Sequence, residues 1–304
     1  MTVTSEQIAP PSTAARAHVP RSARRKPKAL ITVLLWVCVL YFVLPLSWLV
    51  FSSTKTNTGL FTSFGLWFSG DFALWDNLVA LFSYKGGLFG RWLLNSLFYA
   101  GSAALISAML STMAGYAFAK YRFVGDRVIF AIILGSIMIP ATALALPQFV
   151  LASTFQLTNS PLAVILPAIA VPIGVLIMRV FAQDAIPDSL LEAARVDGAG
   201  EVRIFFQISF RLLGPGFVTV LLFSLVGAWN NYLLPLMMIR SEELYPVTVG
   251  LAQLNAVSQG SGGGAVMFST ILTGALVSII PLIVAFAYLQ RYWQSGLTAG
   301  GVKA

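Results

Sequence analysis

Charged residues are scarce in this sequence, and their scarcity sets its class. Only 10% of the 304 residues are charged, 58% are hydrophobic, and the mean hydropathy is +0.83. Ordinary globular domains are about 25% charged. A water-soluble fold could not bury this much apolar surface, so the sequence predicts a protein that lies in lipid.

Cysteine and histidine are almost absent. The sequence has one cysteine, Cys38, and one histidine, His18. A single cysteine excludes an internal disulfide framework, and this pair is too few for a metal site built on histidine and cysteine ligands. The sequence therefore predicts no metal site.

Long apolar runs are what the sequence has instead. A spanning helix needs roughly 20 apolar residues, and six runs reach that length. A β-barrel would show shorter segments of alternating polarity, which these runs are not. The sequence predicts an all-α polytopic membrane protein with six transmembrane helices, at about 29–51, 92–119, 128–150, 161–182, 212–239 and 266–289.

The apolar runs lack the groups that catalysis or proton coupling requires. They contain no Asp, Glu or Lys, and their one charge, Arg179, lies near a run end where it can snorkel to the interface. A proton-coupled carrier normally has a carboxylate at mid-membrane. The chain also lacks G-x-x-x-x-G-K-[ST], so it does not hydrolyse ATP itself. We predict no catalytic residue and keep an ion-coupled secondary transporter, with sodium held by backbone carbonyls, as the alternative.

Basic residues are distributed unequally between the two sides of the membrane. Fourteen lie in the two tails and in the loops 120–127 and 183–211, whereas four lie in the opposite loops. Because cytoplasmic loops carry the excess of Lys and Arg, both termini are expected in the cytoplasm, in a multi-pass protein of the cell membrane. The basic N-terminal cluster adjoins a span, so we interpret it as part of this bias and predict no nucleic-acid partner.

Composition divides the chain into segments. Residues 1–28 read as a disordered tail, 29–51 as a first, added helix, and 52–91 as an aromatic-rich external loop at the membrane interface. Residues 92–289 read as a five-helix transport core that includes the loop 183–211, and 290–304 as a C-terminal tail.

The loop 183–211 holds eight of the thirty charged residues in the chain. Ser189 and Glu192 have the spacing of a capping box, and Gly198 can adopt the left-handed conformation that ends a helix. These signals predict a helix from Leu190 to Asp197 with Leu190, Ala193 and Ala194 on its apolar side. From these residues alone, a plug for a groove on another protein, a solvated connector and a helix packed on its own chain all stay open.

Two further segments carry candidate contacts. The external loop 240–265 ends in a polar, glycine-rich tip at 258–264, which is either a plain linker or a binding loop. Asn230 and Asn231 are the most conspicuous polar pair inside a predicted span, and buried amides need partners. They are predicted to join helices or to line a water-filled path.

The segment E-A-A-R-V-D-G resembles the EAA motif of ABC importer permeases, with Glu192, Ala193, Ala194 and Gly198 in the motif and Ile208 and Pro215 in its tail. The family commonly has Leu-Pro where this chain has Phe210-Arg211. The stretches 227–236, 244–251 and 290–304, and the pair Asn95-Ser96, are similar to maltose-type sugar permeases. The resemblance runs from about residue 30 to 304.

This resemblance implies a type I ABC importer permease that forms half of a pore for a sugar or related compound. Its implied partners are a second permease subunit, an ATPase dimer that binds ATP and magnesium, an extracytoplasmic sugar-binding protein and membrane lipid. No cofactor is expected on this chain. The sugar itself is not predicted.

The resemblance also assigns roles to residues. Those implied to couple to the ATPase are Glu192, Ala193, Ala194, Arg195, Asp197 and Gly198, with Ser189 as the helix cap. Those of the C-terminal tail implied to reach the ATPase are Gly296, Leu297, Thr298 and Gly300. Those implied to meet the binding protein are Gln253, Asn255 and Gln259.

Overall fold

The structure, a computed structural model, describes residues 29–259 and 267–299. The predicted tail 1–28, the residues 260–264 of the predicted tip and Gly300 lie outside the described residues. So do the side chains of Leu297 and Thr298.

Helices and turns make up the described parts of the chain, which contain no strand, so the predicted all-α class is confirmed. A π-helical turn lies at Phe205–Ser209, and short 3₁₀ turns lie at Tyr84–Gly86 and Glu242–Leu244. The helices in chain order are α1 Ala29–Ser53, α2 Asn57–Thr62, α3 Leu74–Ser83, α4 Leu88–Lys120, α5 Asp126–Ile137, α6 Ala141–Thr154, α7 Pro161–Ala168, α8 Pro172–Ala185, α9 Asp188–Val196, α10 Glu201–Ile204, α11 Phe210–Leu212, α12 Gly214–Trp229, α13 Leu233–Met238, α14 Val247–Gln259 and α15 Phe268–Ala299.

The chain forms two compact units, which divide between Leu46 and Ser47. In the first unit the described residues, 29–46, form an apolar helical segment with exposed side chains such as Trp36 and Cys38. The second unit contains all the other helices.

Proline interrupts apolar runs that were each predicted as one transmembrane helix. By length and composition, α1, α4 and α15 could each cross a membrane alone, and three bent helix pairs bring the possible number of spans to six. The bend is 106° between α5 and α6 at Pro140, 42° between α7 and α8 at Pro172, and 78° between the segment 201–212 and α12 before Pro215. Proline lacks the N–H that a continuous helix needs and disfavours helix in the residue before it.

The fifth run differs most from its prediction. Instead of one helix over 212–239, α12 ends at Trp229 and α13 begins at Leu233. Asn230, Asn231 and Tyr232 occupy the break. The last helix, α15, continues to Ala299, beyond the predicted end of the sixth span at 289.

Helix α4 is the centre of the second unit and packs most extensively against α8 and α12. Small residues of α4 lie in this contact, among them Ala108 and Ser111. A Cβ built on Gly115 would lie 2.5 Å from Met178 Cβ and 2.6 Å from the backbone nitrogen of Arg179. The two helices therefore touch through their backbones, as small residues allow in membrane bundles.

Arg179, the single charge of the apolar runs, contacts an aromatic ring. Its guanidinium carbon lies 4.0 Å from the centroid of the Phe130 ring, so α8 and α5 are joined by a cation–π contact. An aromatic face supports the positive charge near the helix end, where sequence alone predicted snorkelling.

The segment 52–91 folds back on α1 and α15 within the second unit. Asn77 donates hydrogen bonds to the carbonyls of Ser53 and Lys55, and Thr273 donates to that of Ser53. The aromatic residues predicted for a membrane interface are largely exposed: Phe61, Phe64, Trp67, Phe72 and Trp75.

Candidate functional site

Helix α9 contains the EAA-like motif, but it begins earlier than predicted. Its N-cap is Pro187, and no side chain caps the first turn. Ser189 therefore lies inside the first turn, so the predicted cap at Ser189 is wrong. A capping box needs the serine at the N-cap and its partner at the third helical position. Because Pro187 takes the N-cap, Glu192 falls at the fifth. Asp188 places a negative charge at the helix start instead, which the helix dipole favours.

The end of α9 is as predicted. Gly198 has a φ of +79°, its N–H donates to the Arg195 carbonyl, and the N–H of Ala199 donates to that of Ala194. These two bonds with a left-handed glycine make a Schellman motif, which pairs the free carbonyls of the last turn. The reversal at Gly198 sends the chain into α10.

The two faces of α9 have different surroundings, and the residues on each face differ from the predicted ones. Leu191 and Ala194 are buried against Tyr116, Ile204 and Phe205 of the same chain. Exposed residues on the rest of the helix include Leu190, Glu192, Ala193, Val196 and Asp197. Ala193 and Ala194 do not share a face, because successive residues in a helix are about 100° apart. The helix is packed on its own chain through one side and open on the other.

The C-terminal end of α4 holds α9 in place through Lys120. The Lys120 side chain is only 6% exposed, and its Nζ donates to the Ile186 carbonyl at 2.6 Å and to Asp188 Oδ1 at 2.8 Å. The bond from Lys120 keeps the pKa of Asp188 below its usual value. Lys120 thereby ties the last turn of α4 to the start of α9.

Tyr121, next in sequence, makes a second connection. Its hydroxyl donates to Glu201 Oε2 at 2.6 Å, and Arg195 Nε donates to Glu201 Oε1 at 2.7 Å. Burial, with the hydrogen bond to Glu201, raises the pKa of Tyr121. Hydrogen bonds from Arg195 and Tyr121 lower the pKa of Glu201. Arg195, predicted to face a partner, is thus paired within its own chain.

Sequence reasoning missed Lys120 and Tyr121. A basic residue in the last turn of a long helix was the only local signal, and it is common because of the helix dipole. Their partners lie 66 to 80 residues further along the chain, so no sequence pattern links them.

The chain also bends where the family pattern has Leu-Pro and this chain has Phe210-Arg211. The bend falls at Leu213, between α11 and α12, and Pro215 lies in the first turn of α12. The π-helical turn before it packs Phe205 against Tyr116, with ring centroids 5.2 Å apart. The break is therefore present but displaced toward Pro215.

Three helix breaks converge on one cavity, which we name the break cavity. It has a volume of about 760 Å³ and lies where α5 meets α6, α7 meets α8, and α12 meets α13. Its polar lining residues are Ser136, Thr142, Gln148, Asn230, Asn231 and Tyr232, and none of its lining residues is charged. In membrane proteins, irregular backbone is tolerated where it lines a cavity or is buried in protein.

Asn230 and Asn231 line this cavity rather than joining helices through their side chains. Asn230 Nδ2 donates to the Val226 carbonyl of its own helix at 3.0 Å, and the Asn231 backbone carbonyl accepts from Thr248. Within the described ranges, the side chains of Asn231, Gln148 and Thr142 make no hydrogen bond. Sequence reasoning missed Gln148 and Thr142, which α6 brings to the two asparagines.

The connector between α13 and α14 is held by one face of α4. Trp92 Nε1 donates to the Glu242 carbonyl, Tyr99 donates to that of Leu244, and Asn95 Nδ2 donates to those of Glu243 and Tyr245. Ser96 Oγ accepts from the Val247 N–H. The pair Asn95-Ser96, noticed for its resemblance, thus positions the start of α14.

Gln253, Asn255 and Gln259 lie on helix α14 and not in a loop, which corrects the prediction. Val247, Gly250 and Leu254 supply a buried face at helical spacing, and this spacing was the missed signal. Gln253 and Gln259 are exposed, whereas Asn255 is half-buried and accepts a hydrogen bond from Gln259.

Comparison with known proteins gives consistent results. A model of the family described as "Binding-protein-dependent transport system inner membrane component" matches residues 107–297. An arabinooligosaccharides transport system permease protein from Halalkalibacterium halodurans is 36% identical over 262 residues, covering 86% of this chain and 91% of the relative. A maltodextrin transport system permease protein from Bacillus subtilis is 31% identical over 277 residues, covering 90% and 96%.

A solved structure has the same fold. The crystal structure of a bacterial ABC transporter involved in the import of the acidic polysaccharide alginate contains a chain that matches with a TM-score of 0.75 at 22% identity, covering 87% of this chain and 95% of that one.

Proposed function

The chain belongs to the family of binding-protein-dependent transport system inner membrane components, and from this premise we propose that it is the permease subunit of an ATP-driven sugar importer, forming half of the pore. Relatives over most of its length are named as permeases for arabinooligosaccharides and maltodextrin. The chain is a transport subunit and not an enzyme.

The open face of α9 is the observation that carries the proposed mechanism. Glu192, Ala193 and Asp197 are exposed on a short helix whose opposite face is packed against α4 and α10. A helix whose opposite face is packed against its own chain can pass a displacement of its exposed face to the helices it contacts. We assign this face to an ATPase subunit, whose closure on ATP would move α9 and the helices attached to it.

The remaining partners follow from the same assignment. A second permease completes the pore, and an extracytoplasmic sugar-binding protein delivers the sugar to the side that carries α14, where Gln253 and Gln259 are exposed. The bias of Lys and Arg supports cytoplasmic termini. ATP and magnesium belong to the ATPase dimer, and the tail residues Gly296, Leu297, Thr298 and Gly300 stay predicted ATPase contacts.

Reconstitution tests this function directly. The chain should co-purify with a second permease and an ATPase, and in liposomes with the binding protein the complex should take up a labelled neutral oligosaccharide only with ATP. The panel consists of arabinotriose, maltotriose and raffinose. Uptake by this chain alone, driven by an ion gradient, would instead establish the secondary transporter.

Glu192→Arg tests the assigned face. Reversing the charge on the exposed side of α9 should lower sugar uptake per ATP hydrolysed by about tenfold or more, the effect of roughly 1.4 kcal/mol of lost coupling. Uptake and ATPase activity are measured on the same liposomes. Asp71→Arg, the same reversal at an exposed residue outside α9, is the matched control, and equal effects of the two variants would contradict the assignment.

A further inference from the structure

We propose that the break cavity is a sugar-binding subsite contributed by this subunit, and that it selects uncharged sugars. The proposal rests on the proposed function but goes beyond it, because a permease can pass a sugar that only its partner subunit binds. Three observations support it: the convergence of the helix breaks, the unpaired polar side chains and the absence of charge.

The side chains of the cavity match the hydrogen-bonding needs of sugar hydroxyls. Each hydroxyl both donates and accepts, and the amides of Gln148 and Asn231 offer an acceptor oxygen and donor N–H groups. Thr142 adds a hydroxyl. These three side chains have no hydrogen-bond partner among the described residues. Their donors and acceptors are therefore available to a ligand in the cavity.

The backbone of the cavity wall adds to this capacity. Helix ends leave N–H and carbonyl groups without partners in the helix, and the wall contains the ends of α5, α7 and α12 together. Apolar residues such as Leu144 and Ile173 complete the wall, and they suit the C–H faces of sugar rings. Alternating polar and apolar surface is what a carbohydrate requires.

The size of the cavity is also suitable. Pockets that enclose drug-sized ligands have volumes of about 300–1,000 Å³, and the break cavity has about 760 Å³. A disaccharide belongs to that size class. A longer oligosaccharide would place only some of its rings in the cavity.

The absence of charge decides the class of sugar. No Lys, Arg, Asp or Glu lines the cavity, and Arg179, the single charge of the apolar runs, is stacked on Phe130. Moving a carboxylate from water into such a wall without a counter-charge is strongly unfavourable. The cavity therefore favours neutral sugars over uronic acids, the charged units of an acidic polysaccharide.

Thiol protection tests binding at this position. In a Cys38→Ser background, Ala170→Cys places a single thiol in the cavity at a residue with no hydrogen-bonding side chain, and Thr154→Cys places one on α6 outside it. The whole importer is treated with a water-soluble methanethiosulfonate while ATP is turned over. Arabinotriose, maltotriose or raffinose, whichever is taken up, should slow modification of the Ala170→Cys variant by about tenfold at ten times its Kd. It should leave the Thr154→Cys variant unchanged, and an alginate trisaccharide should protect neither.

Uptake by a matched pair of variants gives a second readout. Thr142 and Thr154 lie on the same helix, but only Thr142 lines the cavity. Thr142→Val should lower uptake of the neutral sugar several-fold, and Thr154→Val should not. Gln148→Leu should lower uptake about tenfold or more, because a sugar hydroxyl then loses its hydrogen-bond partner in the cavity. Stimulation of the ATPase by the binding protein should persist in all of them.

The outcomes separate this proposal from the proposed function. Uptake of a neutral sugar with no protection of the Ala170→Cys variant would overturn the subsite alone. Equal protection by the alginate trisaccharide would overturn the selection for uncharged sugars. Failure of the unmodified importer to take up any of the three neutral sugars would overturn the proposed function itself.

Discussion

Lys120 shows how one buried side chain can position a short helix. Its ammonium group is almost wholly buried, yet both of its partners belong to the start of the α9 segment. Charged hydrogen bonds of this kind are stronger than neutral ones. Removing the Lys120 side chain leaves the Ile186 carbonyl without its donor. Ile186 is buried.

Lys120→Met should therefore loosen α9 without unfolding the protein. The unpaired carbonyl costs about 1–3 kcal/mol, and we expect uptake per ATP hydrolysed to fall several-fold. Lys120→Arg keeps the charge and donors and should retain most of the coupling. If the methionine variant transports as efficiently as the unmodified chain, Lys120 does not position α9.

The acidic partners give the α9 attachment a defined pH dependence. The pKa values of Asp188 and Glu201 are lowered by Lys120 and Arg195 respectively. A lowered pKa means that the stabilisation is complete above the ordinary carboxyl value, about 4, and is lost as pH falls through the lower folded-state value. Both carboxylates remain ionised across the physiological range.

Hydrogen exchange of the α9 amides, corrected for intrinsic rates, should show constant protection from about pH 8 to about pH 5, because both groups titrate below this range. Protection should decline only at more acidic pH. An Asp188→Asn, Glu201→Gln double variant should lack that acidic decline. A loss of protection near neutral pH would rule out these two carboxylates as the cause.

At the scale of the elements, helix α4 connects the two segments that we assign to partner contacts. Its C-terminal end holds α9 through Lys120 and Tyr121, and its N-terminal part holds the connector to α14 through Trp92, Asn95 and Tyr99. A helix of 33 residues is about 50 Å long at 1.5 Å per residue. The α9 segment and the start of α14 are thus attached to one continuous helix.

The close contact of α4 with α8 depends on Gly115. Gly115→Ala would bring a Cβ within 2.7 Å of the Met178 and Arg179 backbone, so the helices must separate. We expect destabilisation of about 1–3 kcal/mol, the usual cost of overpacking, measured as a lower Tm in detergent.

Gly101→Ala on the same helix is the matched control, because a Cβ there meets no atom within 4 Å. It should leave Tm unchanged or raise it slightly, since alanine favours helix over glycine by up to about 1 kcal/mol. Equal losses in both variants would show that glycine acts through helix flexibility and not through close packing.

At the scale of the whole molecule, orientation in the membrane is the property to test. Val196 is 87% exposed on the free face of α9, and Glu243 is exposed on the connector before α14. The distribution of basic residues predicts that they lie on opposite sides of the membrane.

In a Cys38→Ser background, a membrane-impermeant maleimide should label Glu243→Cys in intact cells and Val196→Cys only in inside-out vesicles. Because Cys38 is the single native cysteine, one substitution removes all background labelling of this chain. Labelling of Val196→Cys in intact cells would reverse the proposed orientation and remove α9 from the reach of a cytoplasmic ATPase.

Much of the molecule could be predicted from the sequence. The all-α class, the helix in loop 183–211 and its end at Gly198 follow from hydropathy and from local turn chemistry, which act within a few residues. Ser189 was mispredicted because two local signals competed. Pro187 took the N-cap that the serine would have used, and helix boundaries are sensitive to such single residues. The family, too, was recognisable from the motif around Glu192.

The sequence alone determined that this protein lies in lipid and is an all-α membrane protein, because apolar runs of this length are stable only in lipid. The tertiary structure alone decided which face of α9 is free, which residues hold it, and that three helix breaks meet in one uncharged cavity. Each of these depends on contacts between residues far apart in the chain. Proline specifies where a helix is interrupted, but the packing of neighbouring helices determines which way the interrupted ends point.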